Sequence, residues 1–335
     1  MTIKDLVKRS GYSLGTVSRV LNNKPNVSEK ARKAILSIAE EEGFELNTNA
    51  KNLKQQRGNT ILVIVKGTNN GLFSCMVEQI QALLSVQNIP LIVDYIDEDD
   101  NEVRRAAQLC KEKKPLGVLF LGSTMANLQL DFGAITVPAV VLTNSVEGLE
   151  FPNLSFVSTD DRAAAFCAIE YLIKKGHRKI AVIGGDCSCS DTSRQRFSGC
   201  EDAFRLYNLH RCGPYIPSRY SYEAGYRVMK EILNTGLSVT AVFTMSDVQA
   251  IGAIRAALDK GLRVPEDISV IGFDGLTVGG YCNPKLTTIL QQVDKLAEMG
   301  TELLLHQISG PIQADRRIVP FVLTERDSVQ ARSIK

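Results

Sequence analysis

From Thr60 onward the chain alternates two kinds of hydrophobic pattern. Short apolar runs rich in Val and Ile recur as TILVIV (60–65), IPLIVDYI (89–96), LGVLFLG (116–122), VPAVVLT (137–143), KIAVIGG (179–185), TAVFTM (240–245) and ISVIGFD (268–274). Their length and β-branched content predict buried strands. Helical segments separate most of them, FSCMVEQIQALLSVQ, DDRAAAFCAIEYLIKKG and DVQAIGAIRAALDKG among them. Buried strands alternating with amphipathic helices predict parallel sheets wrapped by helices. Seven such runs, with an irregular connection at 144–156, predict two consecutive sheets. Ligands of such sheets bind beyond the carboxyl ends of the strands, here in a cleft between the halves.

The first 45 residues follow a different period. Thr2 is placed to cap a helix whose apolar residues Ile3, Leu6 and Val7 share one face, with Asp5 at its third position, and Gly11 breaks it. Ser13 is a second cap candidate, and Val17, Val20 and Leu21 form the inward stripe of a short helix that the NNKP segment ends. Ser28 caps a third, longer helix in which Ala31, Ala34, Ile35, Ile38 and Ala39 recur at three and four, stopped by Gly43. Helix, glycine-containing turn and second helix is the spacing of a helix-turn-helix, whose second helix enters the major groove of DNA. With Val17, Val20 and Leu21 inward, Leu14, Gly15, Ser18, Arg19 and Asn22 face outward. Short side chains around one long cation suit close approach to a groove floor, with Arg19 able to give a bidentate hydrogen bond to a guanine edge. A small helical cap carrying a solvated arginine has the same spacing, so spacing alone leaves both readings open.

Charge adds weight to the first. The chain has 335 residues and a formal charge of +2, but residues 1–57 hold 11 Lys/Arg against 6 Asp/Glu while the remainder holds 28 against 31. The basic charge belongs to one end. At 44% hydrophobic residues there is ample material for sizeable cores. No apolar run approaches the roughly 20 residues of a membrane-spanning helix and no leader pattern is present, so a cytoplasmic protein without a membrane partner is expected. The eight cysteines (75, 110, 167, 187, 189, 200, 212 and 282) show no C-x-x-C spacing, which argues against a zinc site or disulfide framework; most are expected as reduced core residues.

Enzymatic readings find no support. Neither VIVKGTNNGLF nor VIGGDCSCSD supplies the G-x-G-x-x-G turn of a dinucleotide site, and there is no nucleophile elbow, P-loop or H-E-x-x-H pattern. His177, in KKGHRKIAVIGG, reads as a turn or packing residue. No catalytic residue, metal or cofactor is expected. A secreted sugar-binding protein would share the two-lobed architecture, but the basic N-terminal unit argues against it. The alternative that stays open is a cytoplasmic two-lobed binding protein or enzyme with an incidental helical cap.

The segment TIKDLVKRSGYSLGTVSRVLNNKPNVSEKARKAILSIAEEEGFELNTNAKNLK, with its TVSRVLN core and VSEKAR sequel, resembles the DNA-binding headpiece of the LacI/GalR family of bacterial transcriptional repressors. The likeness continues through VSTDDRAAAFCAIEYLIKKGHRKIAVIGG, RQRFSGCEDAF, AVFTMSDVQAIGAIRAALDKGLRVPEDISVIGFD and PKLTTILQQVDKLAEMGTELLL, nearly the whole chain. The resemblance implies an all-α helix-turn-helix headpiece (1–45), a hinge segment (46–57) and an α/β core of two doubly wound parallel-sheet lobes, periplasmic-binding-protein-like (58–335). Its first lobe would comprise about 58–160 and 289–320, its second about 161–288 and 321–335. It also implies a homodimeric repressor whose affinity for a pseudo-palindromic operator answers to a small hydroxylated effector, a sugar or similar polyol. The tail TERDSVQARSIK lacks a leucine heptad, so a dimer and not a tetramer is expected.

Residue roles follow from the same likeness. DNA contacts are implied at Leu14, Gly15, Thr16, Ser18, Arg19 and Asn22, with Leu14 and Gly15 in the two positions that set operator preference; Gly15 departs from the family toward the smallest reader. In the hinge, Asn47, Ala50 and Leu53 match, Leu53 being the apolar wedge for a minor-groove step, while Leu46 stands where the family usually has proline. An exposed leucine among Asn, Lys and Gln is poorly explained by burial in a monomer, and such a wedge offsets unstacking by bending the DNA onto more protein. In the cleft, Arg196 and Asp274 are implied to hydrogen-bond the effector, Tyr220 to stack on it, and Phe73, Asp160 and Ser246 to line it. Ser246 replaces a common asparagine, and Leu72 with Phe73 replaces an aromatic pair.

Overall fold

The computed structural model describes residues 3–21, 25, 27–41, 58–67 and 70–332. The chain divides into two compact units, Met1–Gly58 and Asn59–Lys335. In the first, α1 (Ile3–Ser10), α2 (Leu14–Leu21) and α3 (Glu29–Glu41) enclose a small core of Leu6, Val17, Val20, Ile35 and Ala39. Gly11, at φ +70°, closes α1 with its N–H on the Val7 carbonyl, a left-handed cap that favours glycine. Ser13 starts α2 by accepting from Thr16 N at 3.3 Å, and Ser28 starts α3 by accepting from Ala31 N at 3.3 Å.

The second unit holds two sheets. In the first, β1 (Ile61–Lys66), β2 (Leu91–Ile96), β3 (Gly117–Leu121), β4 (Ala139–Leu142), β5 (Leu154–Thr159) and, from far along the chain, β10 (Arg316–Val319) form six parallel strands in the order β10-β5-β4-β3-β1-β2. Helices α4 (Gly71–Val86), α5 (Glu102–Lys113), α6 (Met125–Asp131) and α11 (Val293–Ser309) accompany this sheet, leaving Ile61 to Val65 buried on both faces. The second sheet has the order β11-β9-β8-β7-β6, from β6 (Ile180–Ile183), β7 (Ala241–Thr244), β8 (Ser269–Asp274), β9 (Thr287–Gln291) and β11 (Phe321–Thr324). Helices α7 (Asp161–Lys174) and α8 (Asp191–Leu206) pack on one of its faces, α9 (Tyr222–Asn234) and α10 (Asp247–Asp259) on the other.

Three crossings join the lobes, after Thr159, Gln291 and Val319. The second comes a little later than residue 288, because Ile289 and Leu290 still pair with Phe273 and Asp274 of β8. The third explains the one antiparallel pair among the described strands. Strands β5 and β10 both run toward the crossings and pair in parallel, Val319 opposite Thr159. Strand β9 arrives at the crossings while β11 leaves them, so Phe321 meets Gln291 in antiparallel register.

Two expectations are corrected. The connection at 144–156 is not irregular throughout: β5 begins at Leu154 and is fully buried, and its Ser155 hydroxyl is matched by distant partners. Ser155 Oγ accepts from Gln307 Nε2 at 2.7 Å and from Asp315 N at 2.9 Å. The cysteines are free, but Cys200 alone is buried; Cys75 and Cys189 are exposed and the others half-buried, because four of the eight (187, 189, 212 and 282) lie in turns and bends and Cys75, Cys110 and Cys167 lie beside their helices' inward stripes. His177 is a packing residue, buried with Nδ1 3.1 Å from Thr240 Oγ1 and Nε2 3.1 Å from the Gln330 carbonyl. Among the described residues no helix is long and apolar enough to cross a membrane, and no cluster of His, Cys, Asp or Glu is placed to hold a metal ion.

Ser155→Ala removes an acceptor from the buried Gln307 amide and the half-buried Asp315 N–H, and it is expected to lower core stability by about 1–3 kcal/mol in urea unfolding.

Candidate functional site

Between the two sheets, at the carboxyl ends of their strands, lies a cavity of about 680 Å³. Five of the six cleft residues expected from sequence line it: Phe73, Arg196, Tyr220, Ser246 and Asp274, with Asp160 the exception. Arg196 projects from α8, buried, with its guanidinium 3.7 Å from the Phe273 ring centroid. Its Nε donates to Asp161 Oδ1 at 2.8 Å, its Nη1 to the Met245 carbonyl, and Asp274 Oδ1 stands 3.7 Å from Nη1. Of five N–H donors, the fork therefore keeps some for a ligand. Burial works against the Arg196 charge, but Asp161 and Asp274 outweigh it and hold the guanidinium above its ordinary value.

Asp274 ends β8 with φ +109°, a backbone conformation a side-chain-bearing residue rarely adopts. Its Oδ1 accepts from Gln291 Nε2 at 2.8 Å, tying the floor to the second crossing. Burial pushes its carboxyl up to about 6, against the pull of Arg196 and Gln291. Asp247, the first residue of α10, is buried behind it, accepting from Thr288 Oγ1 and Leu276 N at 2.6 Å each, and is pushed up to about 8 by burial and by Asp274. The Tyr220 hydroxyl lies 2.7 Å from Ser193 Oγ, and burial pushes its ionisation up to about 12. Ser246 caps α10, its Oγ accepting from Gln249 N at 3.3 Å. On the opposite wall Asn70 caps α4 and presents Phe73 to the cavity, against Gly122, where φ is +78° and a Cβ would lie 3.1 Å from the ring.

Asp160 is not a cleft residue. It is exposed and caps α7, its Oδ1 accepting from Ala163 N at 2.9 Å. The helix that follows needs a cap, and the next residue, Asp161, is the one that turns inward to Arg196. The adjacent pair of aspartates before an apolar helix was the available signal; choosing between them required the helix phase. Sequence reasoning also missed Lys66, Gln291 and the contacts joining the lobes. Those contacts run from Met125 N to Asp191 Oδ2 at 2.7 Å, from Asn144 Nδ2 to Thr192 Oγ1 at 2.8 Å, and from Arg219 to Asp99.

The helical unit carries its candidate face on α2. Leu14, Gly15 and Arg19 are exposed, Thr16 and Ser18 half-buried, while Val17 and Val20 are buried and Leu21 packs half-buried beside them. The Thr16 hydroxyl lies 3.0 Å from Ser13 Oγ, in the cap. A Cβ built on Gly15 would meet only Ser13 Oγ, at 3.8 Å, so packing does not demand glycine there. Asn22, Asn47, Ala50 and Leu53 lie outside the described residues.

A helix-turn-helix unit followed by a two-lobed ligand-binding core defines a small-molecule-responsive transcriptional regulator. Residues 2–47 match the lacI family of bacterial regulatory proteins, and residues 169–329 match a periplasmic binding protein-like domain. The chain is 34% identical to the HTH-type transcriptional regulator MalR of Clostridium butyricum over 98% of this chain and 99% of that protein. It is 31% identical to the HTH-type transcriptional repressor CytR of Escherichia coli K12, over 98% and 96%. Its fold matches that of the lac repressor dimer bound to operator and the anti-inducer ONPF, with TM-score 0.85 and 23% identity over 99% of each chain. It likewise matches the transcriptional regulator CelR in complex with cellobiose, with TM-score 0.72 and 25% identity over 98% and 99%. The chain belongs to the LacI family of bacterial regulatory proteins, and is a transcriptional regulator rather than an enzyme.

Asp274 makes a pH dependence measurable. Its folded value near 6 exceeds the ordinary 3.8, so its ionisation opposes folding: the penalty is absent below about pH 4, grows through pH 4–6, and is complete above. Asp274→Asn is therefore expected to gain about 2–3 kcal/mol relative to the parent protein between pH 4 and pH 7, read by urea unfolding at both values.

Proposed function

We propose that the protein is a homodimeric, cytoplasmic repressor that binds a near-palindromic operator and is controlled by a small hydroxylated effector, a sugar, seated in the cleft. The observation that carries this reading is the buried Arg196–Asp274 pair on the cavity floor, in a chain whose α2 exposes Leu14, Gly15 and Arg19. An arginine fork and a carboxylate together match the donors and acceptors of a polyol. The sugar in the CelR complex and the operator on the lac repressor dimer support the two ligands.

In this reading the units fall at 1–45, 46–57 and 58–335. Arg19 reads a guanine edge and Leu14 makes an apolar contact, with Gly15, Thr16, Ser18 and Asn22 completing the groove face. Asn47 and Ala50 let the hinge segments of two subunits approach, and Leu53 from each opens the central minor-groove step. Phe73, Tyr220 and Ser246 surround the effector held by Arg196 and Asp274. Effector binding shifts the balance between two lobe arrangements, and a coupling of roughly 1–3 kcal/mol changes operator affinity about 5- to 150-fold.

The test is a set of variants in operator-binding titrations with and without effector. Arg196→Lys keeps the charge facing Asp161 and Asp274 but loses the planar fork. It is expected to weaken effector response at least about 10-fold, with effector-free operator affinity unchanged; a full response would remove the cleft from the mechanism. Leu53→Gly should lower specific affinity more than non-specific affinity, and equal losses would eliminate the wedge. Gly15→Ala fills open space on a helix, so headpiece stability should rise by about 0.5–1 kcal/mol while operator preference shifts. Operator affinity should fall steeply with salt, as phosphate contacts require.

A further inference from the structure

Resting on the reading of the cleft as an effector site, we propose that the effector is uncharged, and that sugar phosphates and uronates are rejected because every cation on the cavity wall is already neutralised. Four cationic side chains line the cavity: Lys66, Arg196, Arg219 and Arg227. Lys66 Nζ lies 2.7 Å from Glu102 Oε2 and donates to Thr124 Oγ1 at 3.0 Å. Glu102 is fully buried and is held there by Thr124 N at 2.8 Å and Asn127 Nδ2 at 2.9 Å. Arg196 stands between Asp161 and Asp274. Arg219 reaches Asp99 at 2.5 Å and Asp97 at 3.5 Å, and Arg227 reaches Glu231 at 2.8 Å.

The wall also carries the carboxyl groups of Glu98, Asp99, Asp186 and Asp274. Together with Glu102, Asp161, Asp97 and Glu231 behind it, they outnumber the wall cations two to one. An anionic ligand would thus meet wall cations that are each already paired with a carboxylate, the buried Lys66 and Arg196 most firmly, and would add a like charge to an acidic surround. The Lys66–Glu102 pair matters most, because salt screens a fully buried carboxylate poorly and the neutralisation persists at working ionic strength. An ammonium has three donors, and Glu102 and Thr124 occupy two. The third is suited to a hydroxyl or ring oxygen, which makes Lys66 the specificity-determining residue of the first-lobe wall.

Calorimetry on the full-length protein tests this with glucose, ribose and cellobiose set against glucose 6-phosphate, ribose 5-phosphate and glucuronate. The tightest ligand is expected to be uncharged, with its charged counterpart about 100-fold weaker or more, since like-charge juxtaposition is costly. The double variant Asp97→Asn with Asp99→Asn, at exposed positions, releases Arg219 and should shift the ratio of charged to uncharged affinity about 10-fold toward the charged counterpart. Glu102→Gln should act alike through Lys66; should it fail to fold, the exposed double variant carries the test. A charged counterpart that binds the parent protein as tightly as the uncharged one, or an unchanged ratio in the double variant, overturns the proposal. Arg196→Lys separates the two readings: a charged ligand that it weakens overturns the charge rule alone, whereas a ligand indifferent to it removes the cleft as effector site as well.

Discussion

The guanidinium of Arg196, buried between Asp161 and Asp274, is the interaction on which the cleft depends. Each of these two carboxylates is anchored to a place where the chain passes between lobes. Asp161 follows the first crossing directly, and Asp274 is held by Gln291, the last residue before the second. A buried ion pair of this kind is weak evidence for stability, since desolvation offsets much of its attraction. Its consequence is geometric: a ligand that bonds Arg196 or Asp274 acts on groups already tied to two of the three connecting strands.

The contacts between the lobes are of a different kind. Met125 with Asp191, Asn144 with Thr192, and Arg219 with Asp99 are polar, and the last is solvent-exposed. Exposed pairs of this sort contribute about 0–1 kcal/mol each. Apart from Leu276, which packs on Gly71 and the first-lobe core, these contacts are exchangeable polar ones, so lobes held internally by large apolar sheets can shift relative position without losing either core. That asymmetry is what a ligand-responsive hinge requires, because an effector can move an equilibrium only by its differential affinity for the two arrangements.

The helical unit has little apolar material to spare. Leu6, Val17, Val20, Ile35 and Ala39 make up its buried cluster, and domains so small are marginal. Against that background a glycine on the exposed face of α2, in open space, is a cost to helix stability that packing does not explain.

Much of this was legible in the chain itself. Continuous Val/Ile runs have no stable place except between two helix layers, so the parallel sheets followed from pattern, and the stripes in α1 to α3 identified the headpiece core. Family likeness then supplied Arg196, Tyr220 and Asp274, which do meet in one cavity. What pattern could not reveal were pairings made across long stretches of chain. Strand β5 carries a serine, Ser155, whose partners lie more than 150 residues away, and Asp160 and Asp161 are indistinguishable until the phase of α7 sends one to solvent and the other to Arg196. Lys66 is one more lysine in sequence; only the fold buries Glu102 against it and cancels its charge. Local periodicity determines which elements form, because it is written in neighbouring residues, whereas the charge and reach of a site depend on which distant side chains tertiary packing brings within a few ångströms.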